Sequence, residues 1–142
     1  MRTPRRLHRS QRGAALVEFA VILPVLIILL FGVWEMGRIF DAWLVVTNAA
    51  REGARYAAAG DADTKDDVRD RVKYYVEQGY GPRLGTGDVH IEWANPNYFD
   101  VKGLGNSGPV TVTVRARVDI YAPIVSSLNN PFTVTGQAVM RQ

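Results

Sequence analysis

The chain has 142 residues and a formal net charge of +3, which is long enough for one small folded domain plus a membrane helix but too short for two hydrophobic cores. It contains no cysteine, so disulfide bonds and thiolate metal ligands are excluded. Five of the 17 basic residues lie in residues 1–13, which contain no acidic residue, and the rest of the chain has a net charge of −2. This distribution argues against nucleic acid as a partner.

Residues 1–13 are predicted to form a basic cytoplasmic leader peptide that is not part of the fold. Arginines before an apolar segment remain in the cytoplasm, so we expect the C-terminal part of the chain to lie outside it. The alternatives are an ordinary secretory signal peptide and a twin-arginine signal, which Arg5-Arg6 would suggest. We prefer the leader, because the apolar run is longer than in such signals and no small-residue cleavage site follows Trp34.

Residues 14–34 are predicted to form a transmembrane helix, because these 21 residues are long enough to span a bilayer and Glu18 carries their only charge. A carboxylate in a membrane helix costs a few kcal/mol unless it is protonated or paired. If the chain were cut after Gly13, Ala14 would carry an ammonium group that Glu18 of a neighbouring copy could bind. Both charges would then be satisfied only on assembly.

Pro24 lies in the middle of this helix, where it removes one hydrogen bond and crowds the carbonyl of Ala20. We therefore expect a kink between Ala20 and Pro24. Two interpretations stay open: a proline that the membrane tolerates, or a bend that lets the helix pack in a filament.

Residues 35–60 are predicted to continue the helix outside the membrane, as helix-forming residues persist to Ala59 and Gly60 follows. Small residues recur along this part at helical spacing and form a stripe that permits close packing. The stripe consists of Ala50, Gly53, Ala54, Ala57 and Ala58. We favour packing of the stripe against the protein's own sheet over a contact between subunits.

Residues 61–142 are predicted to form a small extracytoplasmic α+β domain. Its acidic start, residues 60–67, is interpreted as a helix cap with Thr64 as the N-cap, because the ligand order of a calcium loop is missing. A helix is expected over Lys65–Gln78, ended by Gly79. Its apolar stripe contains Val68, Val72, Tyr75 and Val76, and Tyr74 is also expected to serve in packing.

Alternation of apolar and polar residues predicts strands over Asp88–Ala94, Val110–Tyr121 and Phe132–Met140. An antiparallel sheet with one apolar face needs a cover, which the two helices can supply. The predicted fold class is therefore α+β, in a pilin-like arrangement. A long N-terminal transmembrane helix packs together with a second short helix on a sheet of three, or four, strands.

No catalytic or cofactor site is predicted. His8 and His90 are the only histidines, and His8 lies in the leader, so a histidine-based catalytic set or a two-histidine metal site cannot be built from one chain. A carboxylate pair of Glu92 with Asp100 or Asp119 has no supporting motif. We expect neither enzymatic activity nor a cofactor nor a metal.

Two motifs resemble a known family. The basic leader with Gly13, Glu18 and Phe19 resembles the class III signal of type IV pilins and pseudopilins. Two segments are similar to TadE-like pseudopilins of tight-adherence (Flp) pilus systems. The first is Arg-Gly-Ala-Ala-Leu-Val-Glu-Phe-Ala at 12–20, with Pro24, and the second is Asn-Ala-Ala-Arg-Glu-Gly-Ala-Arg-Tyr-Ala at 48–57. The resemblance covers about the first 60 residues.

The resemblance implies cleavage between Gly13 and Ala14 by a prepilin peptidase, with Glu18 as the assembly carboxylate and Phe19 as the aromatic that follows it. It implies a minor pilin in the inner (cytoplasmic) membrane that helps to assemble or initiate a pilus. Its partners would be the prepilin peptidase, other pilins or pseudopilins, the inner-membrane assembly platform and membrane lipid, and it would form hetero- or homo-oligomers. The alternative is an uncleaved single-pass anchor for an extracytoplasmic binding module, in which Glu18 has no special role.

Overall fold

The computed structural model describes residues 10–80, 89–105, 107–121 and 131–142, with side chains from residue 13 onward except at residue 80. Most of the predicted leader, residues 1–9, lies outside the described residues, as does Asp88 at the start of the first predicted strand. The chain divides into two compact units, residues 1–34 and 35–142.

Helix α1 runs from Ser10 to Ala58 and includes Pro24. It confirms the predicted long helix to within one residue at its C-terminal end. Gly60, two residues beyond the end of the helix, has a left-handed conformation with a φ of 79°. A residue with a Cβ would be strained there, which explains why the helix ends at this point.

Helix α2 spans Lys65–Tyr80 and begins with the predicted cap. The amide of Asp67 donates to Oγ1 of Thr64 at 3.2 Å, and the amide of Thr64 donates to Oδ2 of Asp67 at 2.8 Å. This reciprocal pair satisfies two amides of the first turn, and the hydrogen bonds from Thr64 lower the pKa of Asp67. The predicted end at Gly79 is wrong, because α2 continues through Gly79, which lies beside Val45 of α1.

The sheet has four antiparallel strands, β1 (Val89–His90), β2 (Phe99–Lys102), β3 (Pro109–Val118) and β4 (Phe132–Arg141). β4 pairs with β3 along its whole length, from Pro109 opposite Arg141 to Val118 opposite Phe132. β1 and β2 pair with different parts of β3. A strand has only two edges, so β1 and β2 share the edge that β4 leaves free.

The first predicted strand, Asp88–Ala94, is wrong beyond His90. The chain turns there instead: the amide of Asn95 donates to the carbonyl of Glu92 at 3.0 Å, and the amide of Phe99 donates to the carbonyl of Asn95 at 3.0 Å. Pairing resumes in β2, which the sequence analysis did not predict as a strand. This turn forms because asparagine bonds its own backbone, here from the amide of Asn97 to Oδ1 of Asn95 at 3.0 Å.

The hydrophobic core lies between the C-terminal half of α1, helix α2 and one face of the sheet. The fully buried residues are small or β-branched: Ala42, Val46, Ala49, Ala50, Ala54 and Ala57 of α1, Val68, Val72 and Val76 of α2, and Val110, Val112, Val114, Ala116 and Val118 of β3. Tyr74 and Tyr75 are 56% and 38% exposed, so their predicted packing role is wrong. Valines fill the space beneath α2, and the larger phenol rings remain at the surface.

Candidate assembly helix

The first part of α1 exposes an apolar surface along its whole circumference. Every residue from 13 to 34 is exposed apart from Gly32, which is half-buried. Leu16, Leu30 and Val33 are 69%, 62% and 74% exposed. Soluble monomers rarely leave so large an apolar surface in water.

The described residues contain one helix that is long and apolar enough to cross a membrane, Gly13–Ala58, and the structure buries none of its most apolar stretch. A helix that is apolar on all sides needs an apolar environment from outside the chain. By its length and composition this helix fits a bilayer.

Glu18 lies on this exposed surface, with Phe19 beside it at 57% exposure. Glu18 forms no hydrogen bond or ion pair with another described residue. A carboxylate in this position is either solvated, protonated or neutralised by a group from another molecule.

The predicted processing position lies inside the first turns of α1, because the helix begins at Ser10 and includes Gly13 and Ala14. Nothing lies within 4 Å of the position that a Cβ on Gly13 would occupy. Pro24 also lies inside α1, and the kink at Ala20–Pro24 stays a prediction.

The small-residue stripe lies in the core of the folded domain. Ala50, Ala54 and Ala57 are fully buried, and a Cβ added to Gly53 would collide with Cγ2 of Val72 on α2. Ala58 is half-buried. The stripe is thus covered by the chain's own α2 and sheet, which is the arrangement that we favoured over a contact between subunits.

One buried charged cluster was missed by sequence reasoning. Glu35 is a charged residue with only 3% exposure, and it is buried because its carboxylate is fully engaged. Arg38 Nη1 donates to Glu35 Oε1 at 2.8 Å and to the carbonyl of Asp119 at 3.3 Å. The amide of Tyr121 donates to Glu35 Oε2 at 3.2 Å, and the Arg38 guanidinium lies 4.7 Å from the centre of the Tyr121 ring.

This cluster fixes the segment after β3 to α1. A buried charge is tolerated when it is paired and hydrogen-bonded, as Glu35 is here. The predicted strand Val110–Tyr121 is too long for the same reason: β3 ends at Val118, and the amide of Tyr121 bonds to Glu35 instead of a neighbouring strand. The sequence signal was the spacing of Glu35 and Arg38, three residues apart on a helix.

A second charged cluster joins the two helices. Glu52 Oε1 of α1 lies 2.8 Å from Nη2 of Arg55 and 2.7 Å from Nη2 of Arg71 on α2. The pKa of Glu52 is lowered to about 2. The hydrogen bond from Arg55 has the largest effect, and the hydrogen bond from Arg71 and the positive charges of both arginines lower the pKa further. Glu52 is therefore ionised at neutral pH.

The described residues contain no group of three or more histidine or acidic side chains that could hold a metal ion. His90 lies 3.4 Å from Asp119, a single pair at the surface. The chemistry that the exposed part of α1 offers is instead that of association: a long apolar surface and one carboxylate.

These features define the class of protein, a chain with one N-terminal helix able to span a membrane and a small α+β domain. Within that class, the family model described as TadE-like protein matches residues 13–55. The match confirms the resemblance expected from the motifs at 12–24 and 48–57. No curated protein and no solved structure matches the chain.

Proposed function

We propose that this protein is a minor pilin or pseudopilin, which a prepilin peptidase processes after Gly13 and which takes part in the assembly or initiation of a tight-adherence (Flp) pilus. One observation carries the proposal: the apolar part of α1 is exposed on all sides and bears one carboxylate, Glu18, that no other described residue neutralises. The family match at residues 13–55 includes Glu18 and the two residues of the proposed cleavage position, Gly13 and Ala14.

Processing would create the partner that Glu18 lacks. Cleavage after Gly13 leaves an ammonium group on Ala14, four residues before Glu18. Within a bilayer each charge is costly alone, whereas an ammonium and a carboxylate of neighbouring subunits attract each other strongly in a low dielectric. Pairing between subunits would therefore favour an assembled helix bundle over dispersed chains.

The arginines of the leader support an orientation with the N-terminus in the cytoplasm and the domain, residues 35–142, outside. The membrane would be the inner (cytoplasmic) membrane, where the prepilin peptidase, the assembly platform and other pilins or pseudopilins would be the partners. The role is structural and not enzymatic. A domain of this size also supports a minor role, because short major Flp pilins carry a smaller one.

Processing can be tested by measuring the intact mass of the membrane-extracted protein, expressed with and without its cognate prepilin peptidase. We expect a peptidase-dependent loss of residues 1–13, leaving Ala14 first. Gly13→Leu should block this cleavage, and because Gly13 has open space around it, the folded domain should be unaffected. Gly37→Leu, at another helical glycine with open space, is the matched control that should still be cleaved.

Two outcomes would overturn the proposal. A full-length chain in both samples would favour the uncleaved anchor with an extracytoplasmic binding module. A cut beyond Trp34 would indicate a secreted protein.

The role of Glu18 is tested by Glu18→Ala, with piliation and capture of partner pilins as readouts. We expect both to be lost while membrane insertion is kept. Glu77→Ala is the control, because Glu77 is an exposed carboxylate on α2. Unchanged piliation and partner capture in Glu18→Ala would show that the pairing hypothesis is wrong.

A further inference from the structure

A second apolar surface lies on the folded domain. Met36, Phe40, Trp43 and Leu44 of α1 are 67%, 58%, 42% and 40% exposed. Phe132 at the start of β4 is 39% exposed and lines a groove together with Met36, Phe40 and Trp43. We call these five residues the α1/β4 patch.

The patch occupies one face of α1. Residues 36, 40, 43 and 44 recur at intervals of four, three and one, which places them on the same side of a helix. The rings of Phe40 and Trp43 lie 5.6 Å apart. The positions on the other side, among them Ala42 and Val46, are buried in the core.

Charge is absent from this face. Glu35 and Arg38 are bound to each other and to the segment after β3, and Asp41 does not share the spacing of the patch. The same face becomes polar at Thr47 and basic at Arg51, which is exposed. The apolar surface thus has a defined end, about two turns beyond Phe40.

The length of this apolar surface indicates that a lipid bilayer covers it. From Ala14 to Leu44, α1 provides 31 residues, about 46 Å at ~1.5 Å per residue. A bilayer is about 30 Å thick in its hydrocarbon core and about 40–45 Å with its headgroup layers. Residues 14–34 span about 31 Å and account for the core. The α1/β4 patch starts at Met36, directly beyond the far edge of the core, where the headgroup layer begins and tryptophan is enriched.

We propose that the α1/β4 patch lies in the headgroup layer of the bilayer that α1 crosses, so that the folded domain rests on the membrane surface. The inference depends on the proposed membrane insertion of α1 and adds lipid headgroups as a ligand of the domain itself. Contact of this kind buries an apolar face about 5–10 Å into the headgroup and acyl boundary. Ring side chains such as Phe40, Trp43 and Phe132 suit that boundary.

Tryptophan quenching tests the proposal, because the chain has three tryptophans: 34, 43 and 93. Three full-length variants each keep one of them and carry phenylalanine at the other two. They are reconstituted at low protein density into phosphatidylcholine and phosphatidylglycerol vesicles containing lipids brominated near the headgroup end of the acyl chain. We expect quenching of Trp34 and Trp43, and none of Trp93, which packs against Phe99 of β2.

A second set of variants tests the patch itself. Met36→Ser with Phe40→Ser should reduce the quenching of Trp43 by about two-fold or more, because removing apolar area weakens interfacial binding. Tyr74→Ser, at an α2 residue as exposed as Phe40, should leave Trp43 quenching unchanged.

The outcomes separate this inference from the proposed function. Absence of Trp34 quenching would mean that α1 does not insert, which would overturn both. Quenching of Trp34 without Trp43 would overturn the inference alone.

Discussion

Val25 is 58% exposed and Val46 is fully buried, although both are valines in the same helix. The first part of α1 carries large apolar residues on every side, and the chain covers none of them. The later part carries alanine, glycine and valine on one side, and the chain covers all of that side. Large side chains on all sides suit an environment that surrounds the helix, whereas small ones on one side allow a sheet to approach its backbone.

The two parts of α1 differ in what stabilises them. The domain, residues 35–142, owes its stability to packing within the chain, and it should respond to mutation as a soluble protein does. The segment before Glu35 makes no such packing, so its substitutions should act on insertion and assembly. Four predictions test this division, from the largest expected effect to the smallest.

Gly136→Val should unfold the domain. Gly136 of β4 lies so close to α1 that a Cβ would collide with the backbone of Val46 and Thr47, which cannot move as a side chain can. We expect a loss of at least about 3 kcal/mol in the free energy of unfolding. Gly108→Val, where no atom lies within 4 Å, is the control. Urea unfolding in detergent, followed by tryptophan fluorescence, measures both, and equal stability of the two would disprove the close approach.

Val46→Ala and Val25→Ala compare one substitution in the two parts of α1. Val46→Ala should lower the free energy of unfolding of the domain by about 2 kcal/mol, because it leaves a cavity among buried residues. Val25→Ala should leave it unchanged, because Val25 is 58% exposed and lies outside the unit formed by residues 35–142. Thermal unfolding followed by circular dichroism reports both. A similar loss in both variants would show that the two parts of α1 fold as one unit.

Gly53→Ala and Gly37→Ala should change stability in opposite directions. Both glycines lie in α1, where alanine is the better helix former. Gly37 has open space, so we expect a gain of about 0.5–1 kcal/mol from its replacement. At Gly53 the new methyl meets Cγ2 of Val72, so we expect a loss of about 1 kcal/mol. Two gains in the same urea assay would mean that the core adapts around residue 53.

The Glu52 cluster predicts a small pH dependence of the domain's stability. The pKa of Glu52 is lowered from 4.5 to about 2 in the folded state. Its contribution is therefore complete above pH 4.5 and is lost as the pH falls from there towards 2. Arg55 is 60% exposed, so solvent screens the pair and we expect only about 1 kcal/mol.

Glu52→Gln should remove this part of the pH dependence. Glu77→Gln is the matched control, because Glu77 lies 4.0 Å from Lys73 in an exposed pair and should change little. Urea unfolding between neutral pH and pH 3 measures the difference. An unchanged profile in Glu52→Gln would show that the cluster does not contribute.

The sequence was informative wherever the signal was local. The helix bounds, the Thr64 cap and the strands β3 and β4 depend on periodicity and on neighbouring residues, and each was predicted to within a few residues. β2 was missed because its four residues, Phe99–Lys102, alternate over too short a run to be distinguished from a loop.

The spacing of Glu35 and Arg38 indicated their pairing, but the burial of Glu35 could not be predicted, because its other partner is distant. Its carboxylate accepts from the amide of Tyr121, 86 residues along the chain, and no local pattern reports that contact. The same holds for the α1/β4 patch, since Phe132 joins Met36 and Phe40 only in the folded domain. The apolar stretch at 14–34 was the opposite case: a continuous run needs no tertiary partner to be recognised.

Because α1 is the first element of the chain and β4 is the last, α1 is synthesised long before the strand that covers it. Gln142 donates to the carbonyl of Ala57 across 85 residues, and Gly136 touches the backbone of Val46. The small-residue side of α1 is therefore synthesised early and has no cover until β4 has been made. Such long-range closure is slow and leaves apolar surface open to chaperones and proteases in the interval. Nascent chains that lack β4 should consequently be degraded before they compete with complete subunits.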